Sequence, residues 1–399
     1  MVQRHLQENL LAALHSMPVV AILGPRQAGK TTLALHVSGL TGKKTAYFDL
    51  ESDADFNKFT DAEAFLKRHR DTLVILDEVQ RKPDLFRLLR GIVDERKRNG
   101  EKAGQFLLLG SASRDLLQQS SESLAGRIRY LELSPFSFSE LQQAEGLDFQ
   151  PEKLWLRGGF PDSYMATSDT ESWNWRHDFI STYLERDLPQ MGVGIAPNNL
   201  RRMWRMLAHY HGNQVNFSEL GRSLEMSHPT VKFHIDILTD FYMLRQLPPF
   251  AANLKKRLVK SPKIYLRDSG ILHNLLNVSN IDSLLSHPGL GASWEGFAVE
   301  NILSLLDSRW SFSYYRTATQ IELDLVLELP FGEIWAVEIK RSAVPKPGRG
   351  FYEACRDVNA ARRWIVTAGT DRYPLPDGVE VLGLADFLRV IADSNRLTK

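Results

Sequence analysis

Val19-Val20-Ala21-Ile22-Leu23-Gly24-Pro25-Arg26-Gln27-Ala28-Gly29-Lys30-Thr31-Thr32 is the stretch on which the reading of the fold turns. Val19 to Leu23 is a short apolar run, predicted as a buried parallel strand. Gly24-x-x-x-x-Gly29-Lys30-Thr31 follows, and then the apolar Leu33, Leu35 and Val37 of a predicted helix. Strand, glycine loop and helix form the context in which that spacing binds phosphate. The glycines let backbone N–H groups turn inward around phosphate oxygens, and the helix N-terminus adds the positive end of its dipole. Gly24, Pro25, Arg26, Gln27, Ala28, Gly29, Lys30, Thr31 and Thr32 are therefore the candidate nucleotide-binding residues. Lys30 would reach the β- and γ-phosphates of ATP, and the Thr31 hydroxyl would ligate Mg²⁺. A glycine-rich turn that binds nothing is the plain alternative; flanking strand, full spacing and the Lys-Thr pair together weigh against it.

The stretches that follow supply the rest of such a site. Leu73-Val74-Ile75-Leu76-Asp77-Glu78 is a second buried strand, ending in two acids. Asp77 would hold Mg²⁺ through water, and Glu78 would orient and polarise the attacking water. Phe106-Leu107-Leu108-Leu109-Gly110-Ser111 is a third, on which the Ser111 hydroxyl can sense the γ-phosphate. Arg127, just before the strand at Tyr130 to Leu133, is the candidate for an arginine that stabilises transition-state charge, in cis or from a neighbouring subunit; a structural ion pair is the other reading. Strands alternating with helices imply α/β architecture: a parallel sheet covered on both faces.

Composition bounds the rest. A chain of 399 residues, 43% hydrophobic, allows two to four domains. The net charge of +1 creates no global field for nucleic acid, so any basic surface is local. Cys355 is the single cysteine, which excludes an internal disulfide and suits a cytoplasmic location. No apolar run approaches the roughly 20 residues of a membrane span, so no membrane partner is expected. Met1 to Leu14 mixes charges into its apolar pattern and is predicted as an amphipathic helix lying on the first domain, not a signal peptide.

Gly24-Pro25-Arg26-Gln27, Asp77-Glu78-Val79-Gln80, Gly110-Ser111, Leu124-Ala125-Gly126-Arg127 and Ser134-Pro135-Phe136-Ser137 resemble those of prokaryotic AAA-type P-loop ATPases that carry a C-terminal domain of unknown function related to restriction endonucleases. The resemblance extends through the whole chain. It implies an AAA-type P-loop ATPase domain over 1–137, a helical lid over 138–206, a winged helix-turn-helix over 207–260 and a restriction-endonuclease-like α/β domain over 261–399. It also raises a ring-forming homo-oligomer as a possible assembly.

The residues themselves are consistent with the later segments. Phe138 to Met206 has a helical pattern broken near Gly158-Gly159-Phe160-Pro161. Asn216 to Leu224 and Pro229 to Tyr242 are predicted helices joined by a tight turn, followed by the strand-like Met243 to Leu247. The second helix would turn His228, Thr230, Lys232, His234, Asp236 and Asp240 outward, a mixed face that suits DNA reading or domain packing. Lys255, Lys256, Arg257, Lys260, Lys263 and Arg267 form a basic run that could neutralise several DNA phosphates, or be a solvated face.

In the last segment a helix containing Glu300 precedes predicted strands at Phe312 to Arg316, Ile321 to Leu327 and Ile334 to Lys340. Strand alternation puts Glu338 and Lys340 on one face, and pairing across the hairpin can bring Asp324 to Glu338. Asp324, Glu338 and the carbonyl of Ile339, with Glu300 as an added ligand, could hold Mg²⁺ or Mn²⁺; the metal would lower the pKa of a bound water, and Lys340 would orient it or stabilise charge. Two readings follow: an ATPase coupled to metal-dependent DNA cleavage, or an ATPase switch whose last domain is a non-catalytic DNA- or protein-binding module. A small-molecule kinase fits less well, because no acceptor site is evident.

Overall fold

β1 (Val19–Leu23), β2 (Lys44–Asp49), β3 (Thr72–Asp77), β4 (Phe106–Gly110) and β5 (Ile128–Glu132) form one sheet in the order β2-β3-β4-β1-β5, every neighbouring pair parallel. The computed structural model describes residues 2–111, 124–190, 196–250 and 259–397 and divides into two units.

The first unit contains this sheet and draws on three stretches, Met1–Phe136, Arg186–Gly194 and Asp236–Met243. Alternation along its strands explains why the runs are apolar at every position. Val19, Ala21, Val74, Leu76, Phe106 and Leu108 pack on one face with Phe86, Leu89 and Val93 of the helix Leu85–Arg98, and with Tyr242. Val20, Ile22, Leu73, Ile75, Leu107 and Leu109 pack on the other with Leu10, Ala13 and Leu14 of the helix Leu6–Ser16, and with Leu33 and Val37 of Lys30–Leu40. Both faces are covered, as a parallel sheet requires. The N-terminal helix lies against the sheet as the sequence predicts.

The second unit takes Ser137–Glu185, Ile195–Ile235 and Leu244–Lys399. Its first part is helical: Phe138–Glu145, Pro151–Arg157, Asp169–Thr182 and Pro197–His209. Ser137 and Glu140 start the first of these with a reciprocal capping box. Phe217–Leu224 and His228–Asp240, the latter continuing from Asp236 as part of the first unit, form a helix pair whose turn uses Glu225 in the left-handed region (φ 58°). β6 (Asn213–Gln214), β7 (Leu244–Leu247) and β8 (Lys263–Leu266) make an antiparallel sheet ordered β6-β8-β7. β8 is its central strand, so a boundary at 260 would part it from β6 and β7. The expected outward face of the second helix needs correction: His234 is buried at 4% exposure and Phe233 is exposed.

β9 (Ser311–Arg316), β10 (Glu322–Glu328), β11 (Ile334–Lys340), β12 (Arg362–Thr367), β13 (Tyr373–Leu375) and β14 (Val379–Gly383) form a mixed sheet ordered β13-β14-β12-β11-β10-β9. β9, β10 and β11 are antiparallel neighbours, whereas β11, β12 and β14 run parallel. Phe331 (φ 77°) and Gly332 (φ 85°) turn the β10–β11 hairpin where the sequence places it. Tyr315, Val326, Ala336, Ile365 and Val381 cover one face with Phe351, Ala354 and the buried Cys355 of the helix Arg349–Asp357. Among the described residues, no helix is long and apolar enough to cross a membrane.

Candidate functional site

In a parallel sheet all strands deliver their carboxyl ends to one edge, where ligands of open α/β sheets bind. At that edge β1 runs into the glycine loop, β3 into Asp77 and Glu78, and β4 into Ser111. Gly24 has φ 155°, and a Cβ there would lie 2.2 Å from the Leu133 carbonyl oxygen, so only glycine lets the loop leave the sheet so tightly. Gly29, at φ 91°, sets the left-handed turn before the helix starting at Lys30. Arg4 fastens the loop from outside, donating to the Ala28 carbonyl at 2.9 Å and to those of Ser134 and Pro135. Sequence reading assigned Arg4 nothing, because an arginine before a surface helix has no local signal.

Lys30 is buried and donates to the carbonyls of Gly24 (3.0 Å) and Pro25 (2.8 Å), within the loop itself. Complete burial draws its pKa below the usual lysine value, opposed by Glu78 and Asp77. The Thr31 hydroxyl donates to Asp77 Oδ2 at 2.6 Å, and the Tyr47 hydroxyl to the same oxygen at 3.0 Å. Asp77 Oδ1 accepts from the Glu78 amide at 2.9 Å. Two oxygen donors, Thr31 and Asp77, thus already meet beside the loop, as a hard cation held with few protein ligands requires; the residues fit Mg²⁺.

Glu78 sits in the left-handed region (φ 51°), an uncommon backbone state for such a residue. Its Oε2 accepts from the Ser111 hydroxyl at 3.0 Å and from the Gln80 amide. Gln80 also donates to Ser111 Oγ at 2.9 Å. The expected base and the expected sensor are therefore in contact, with Gln80 and Tyr47 as members that strand patterning could not supply. Arg26 places its guanidinium on Asp187, on Glu51 at 3.0 Å, and with Nε 3.8 Å from Glu78 Oε1.

Arg127 is elsewhere. Ile128 pairs with Val19 and Glu132 with Leu23, so Arg127 lies at the amino edge of the sheet. A strand of that length separates it from the loop by roughly 16 Å. It forms a two-armed ion pair with Asp94 at 2.7 and 3.0 Å. The cis role expected for it is corrected: within this chain it is the structural ion pair.

In the second unit, Asp324, Glu338 and Lys340 do converge. Asp324 lies within an irregularity of β10 against β9, where Leu323 pairs with Tyr315 but Val326 with Ser313; such bulges re-aim side chains. Its Oδ2 accepts from the Ile339 amide at 2.8 Å, and Lys340 Nζ lies 2.6 Å from Glu338 and 3.9 Å from Asp324. Burial and Asp324 push Glu338 up to about 8, against the pull of Lys340.

Glu300 is not there. Arg245 and Arg267 bind it on another side of the helix Leu290–Leu305 and, outweighing burial, hold it below the ordinary carboxylate range. The acid of this helix that does reach the cluster is Glu295, pushed up to about 7 by burial and Asp324. Lys263 of β8, 1% exposed, sits 3.1 Å from Glu295, 2.5 Å from Glu322 and 3.7 Å from Asp324, and Tyr265 donates to Glu295 at 2.6 Å. Of the basic run, Lys263 and Arg267 are thus paired inward, while Lys255, Lys256 and Arg257 lie outside the described residues. Lysine ammonium groups stand where a cation would, and among the described residues no three His, Cys, Asp or Glu side chains are set to hold a metal. The cluster, which Glu300 does not join, does not fit the expected Mg²⁺ or Mn²⁺ site.

Comparison with known proteins follows the same division. Residues 16–142 match the family model of the AAA domain. Residues 148–282 and 290–387 match two domains of unknown function, DUF8612 and DUF4143. The Walker-type ATPase PABY2304 of Pyrococcus abyssi is similar at 14% identity and TM-score 0.48, over 69% of this chain and 96% of that one, a distant likeness. Uncharacterized protein Mb2031c of Mycobacterium bovis and uncharacterized protein Rv2008c of Mycobacterium tuberculosis are each 44% identical over 379 residues, 94% of this chain and 82% of theirs. With a match of that extent, the chain belongs to the family of these mycobacterial proteins, and it carries an AAA domain at residues 16–142.

Proposed function

We propose that the protein is an AAA-type ATPase that binds ATP with Mg²⁺ at the loop Gly24 to Thr32 and hydrolyses it. The carrying observation is the 2.6 Å bond from Thr31 to Asp77, which joins loop and strand end at the one place a phosphate-bound cation needs both. Mg²⁺, when bound, offsets charge on the phosphate oxygens. Loop amides and Lys30 hold the phosphates. Glu78, steadied by Ser111 and Gln80, orients a water and takes its proton. The water oxygen bonds to the γ-phosphorus; the bond to the β,γ-bridging oxygen breaks and its electron pair leaves on ADP. Phosphate release from ATP and Mg²⁺ without an added acceptor tests this. Wild-type protein that releases none, or a Lys30→Ala variant that releases as much, overturns it.

For the second unit we propose a binding module that the ATPase switches, the helix pair and its small sheet acting as a winged helix toward DNA or protein. The reading is favoured by Lys263 and Lys340, which already neutralise the carboxylates a nuclease would use for metal. Plasmid DNA incubated with the protein, ATP and either Mg²⁺ or Mn²⁺ should remain uncut. Cleavage abolished by Glu338→Ala would restore the nuclease reading and the restriction-endonuclease-like description of this domain.

A further inference from the structure

Arg26 occupies the third position of the glycine loop, where the general motif asks for no particular residue. Its side chain is 11% exposed, and the loop backbone fixes where it can reach. Three carboxylates face it: Asp187 directly, Glu51 at 3.0 Å, and Glu78 with Nε at 3.8 Å, beyond hydrogen-bond range. Burial opposes the charge, but Glu78, Asp187 and Glu51 outweigh it and hold the group firmly ionised. Asp187 is itself bonded by Arg186 at 3.2 Å and is buried at 4% exposure. The guanidinium therefore stands on the side of the loop where Glu78 would place the attacking water.

We propose that Arg26 is the arginine that stabilises the transferring phosphoryl group, supplied by the loop itself and held on Asp187 and Glu51 until nucleotide enters. The inference rests on the ATPase reading above. When the water oxygen bonds to the γ-phosphorus and the bridging bond breaks toward ADP, charge builds on the bridging and γ oxygens, and a planar fork of N–H donors meets such oxygens two at a time. Leaving a carboxylate for a phosphate exchanges one charge-assisted pair for another, so the movement has little net cost. It also accounts for an AAA domain whose Arg127 is tied to Asp94 at the far edge of the sheet. A guanidinium leaving Glu78 would at the same time free that carboxylate for its water.

The full chain carrying Arg26→Ala, Arg26→Lys or Asp187→Asn tests the assignment through two calorimetric affinities, for ADP alone and for ADP with aluminium fluoride, beside turnover. Arg26→Ala should bind ADP within about threefold of wild type. It should lose about a hundredfold or more of the affinity that aluminium fluoride adds, and turnover by a similar factor. Arg26→Lys, which keeps the charge and the fold but not the fork, should recover only a small part. Asp187→Asn should keep turnover within about threefold, since Arg26 remains. A fluoride-dependent gain intact in both Arg26 variants overturns the proposal. An Asp187→Asn loss as large as that of Arg26→Ala overturns it too, because Arg26 is then only a tether. Wild-type protein that binds no ADP and releases no phosphate defeats the ATPase reading, and this inference with it.

Discussion

Thr31 gives its hydroxyl hydrogen to Asp77 across 2.6 Å, so the first turn of the helix after β1 and the last residue of β3 share one oxygen-lined spot. Removing either partner should strip metal dependence from nucleotide binding. Asp77→Asn and Thr31→Ala are expected to weaken Mg-ATP by about tenfold or more while leaving metal-free ADP nearly unchanged, as measured by calorimetry with and without Mg²⁺. Equal losses in both conditions would mean that the pair only shapes the loop.

Glu78→Gln separates chemistry from binding. The amide keeps the shape that Ser111 and Gln80 hold but cannot take the proton of water. Turnover should fall about a hundredfold or more, with ATP affinity within threefold of wild type. Unchanged phosphate release would place the base elsewhere.

Arg127→Ala should leave turnover unchanged within about threefold, because the side chain faces Asp94 at the amino edge of the sheet. Its ion pair is partly exposed, so the loss of stability should stay under about 1 kcal/mol. A large loss of turnover that depends on protein concentration would show the residue acting across a subunit interface.

Lys263→Met should destabilise the second unit strongly. It leaves Glu295, Glu322 and Asp324 facing one another without their buried cation; breaking such a pair costs about 3–5 kcal/mol. Denaturant melts of wild type and variant measure it. A midpoint unmoved by the change would mean that water already screens the cluster.

Two opposed pH effects are superposed in the second unit. Burial holds His211 at about 4 and His273 at about 3, below the roughly 6.5 of the unfolded chain. Their stabilisation is complete above that value and drains away as pH falls through it toward the folded values. Glu295 and Glu338, raised to about 7 and about 8, contribute the reverse slope, losing stability as pH climbs from about 4.5 through those values. Wild-type denaturation midpoints should therefore change little between pH 6.5 and 5. The Glu295→Gln, Glu338→Gln double variant should lose stability steadily over that span, by up to about 1.4 kcal/mol per pH unit for each histidine. A double variant as flat as wild type would count against these assignments.

What the sequence showed was what local chemistry decides. Val19 to Leu23, Leu73 to Leu76 and Phe106 to Leu109 are legible because a strand buried on both faces must be apolar throughout. The acids and hydroxyl at their carboxyl ends followed at once. Arg127 was misplaced although the signal was present: in a parallel sheet, a residue before one strand cannot meet a loop after its neighbour. The sequence points to Glu300 and holds no local signal that singles out Glu295. The two lie five residues apart on one helix, about 140° around its axis, and only the arrival of Lys263 and Tyr265 from β8 decides which one joins Asp324. Arg26 was seen as one loop residue among nine because its partner Asp187 comes from far along the chain.

The three-stretch makeup of the first unit bears on its birth. Tyr242 belongs to the core that Phe86 and Val74 help to form, and Asp187 holds the glycine loop through Arg26. A nascent chain that has only reached Phe136 has every strand of the sheet but not these parts. In such a chain the sheet would already have its strands and its helix Leu85–Arg98, while Tyr242 would still be missing from that face and Arg26 would lack its Asp187 partner. The last touches to the nucleotide-binding unit thus come from residues made long after its strands, in contrast to an N-terminal domain built from one continuous stretch.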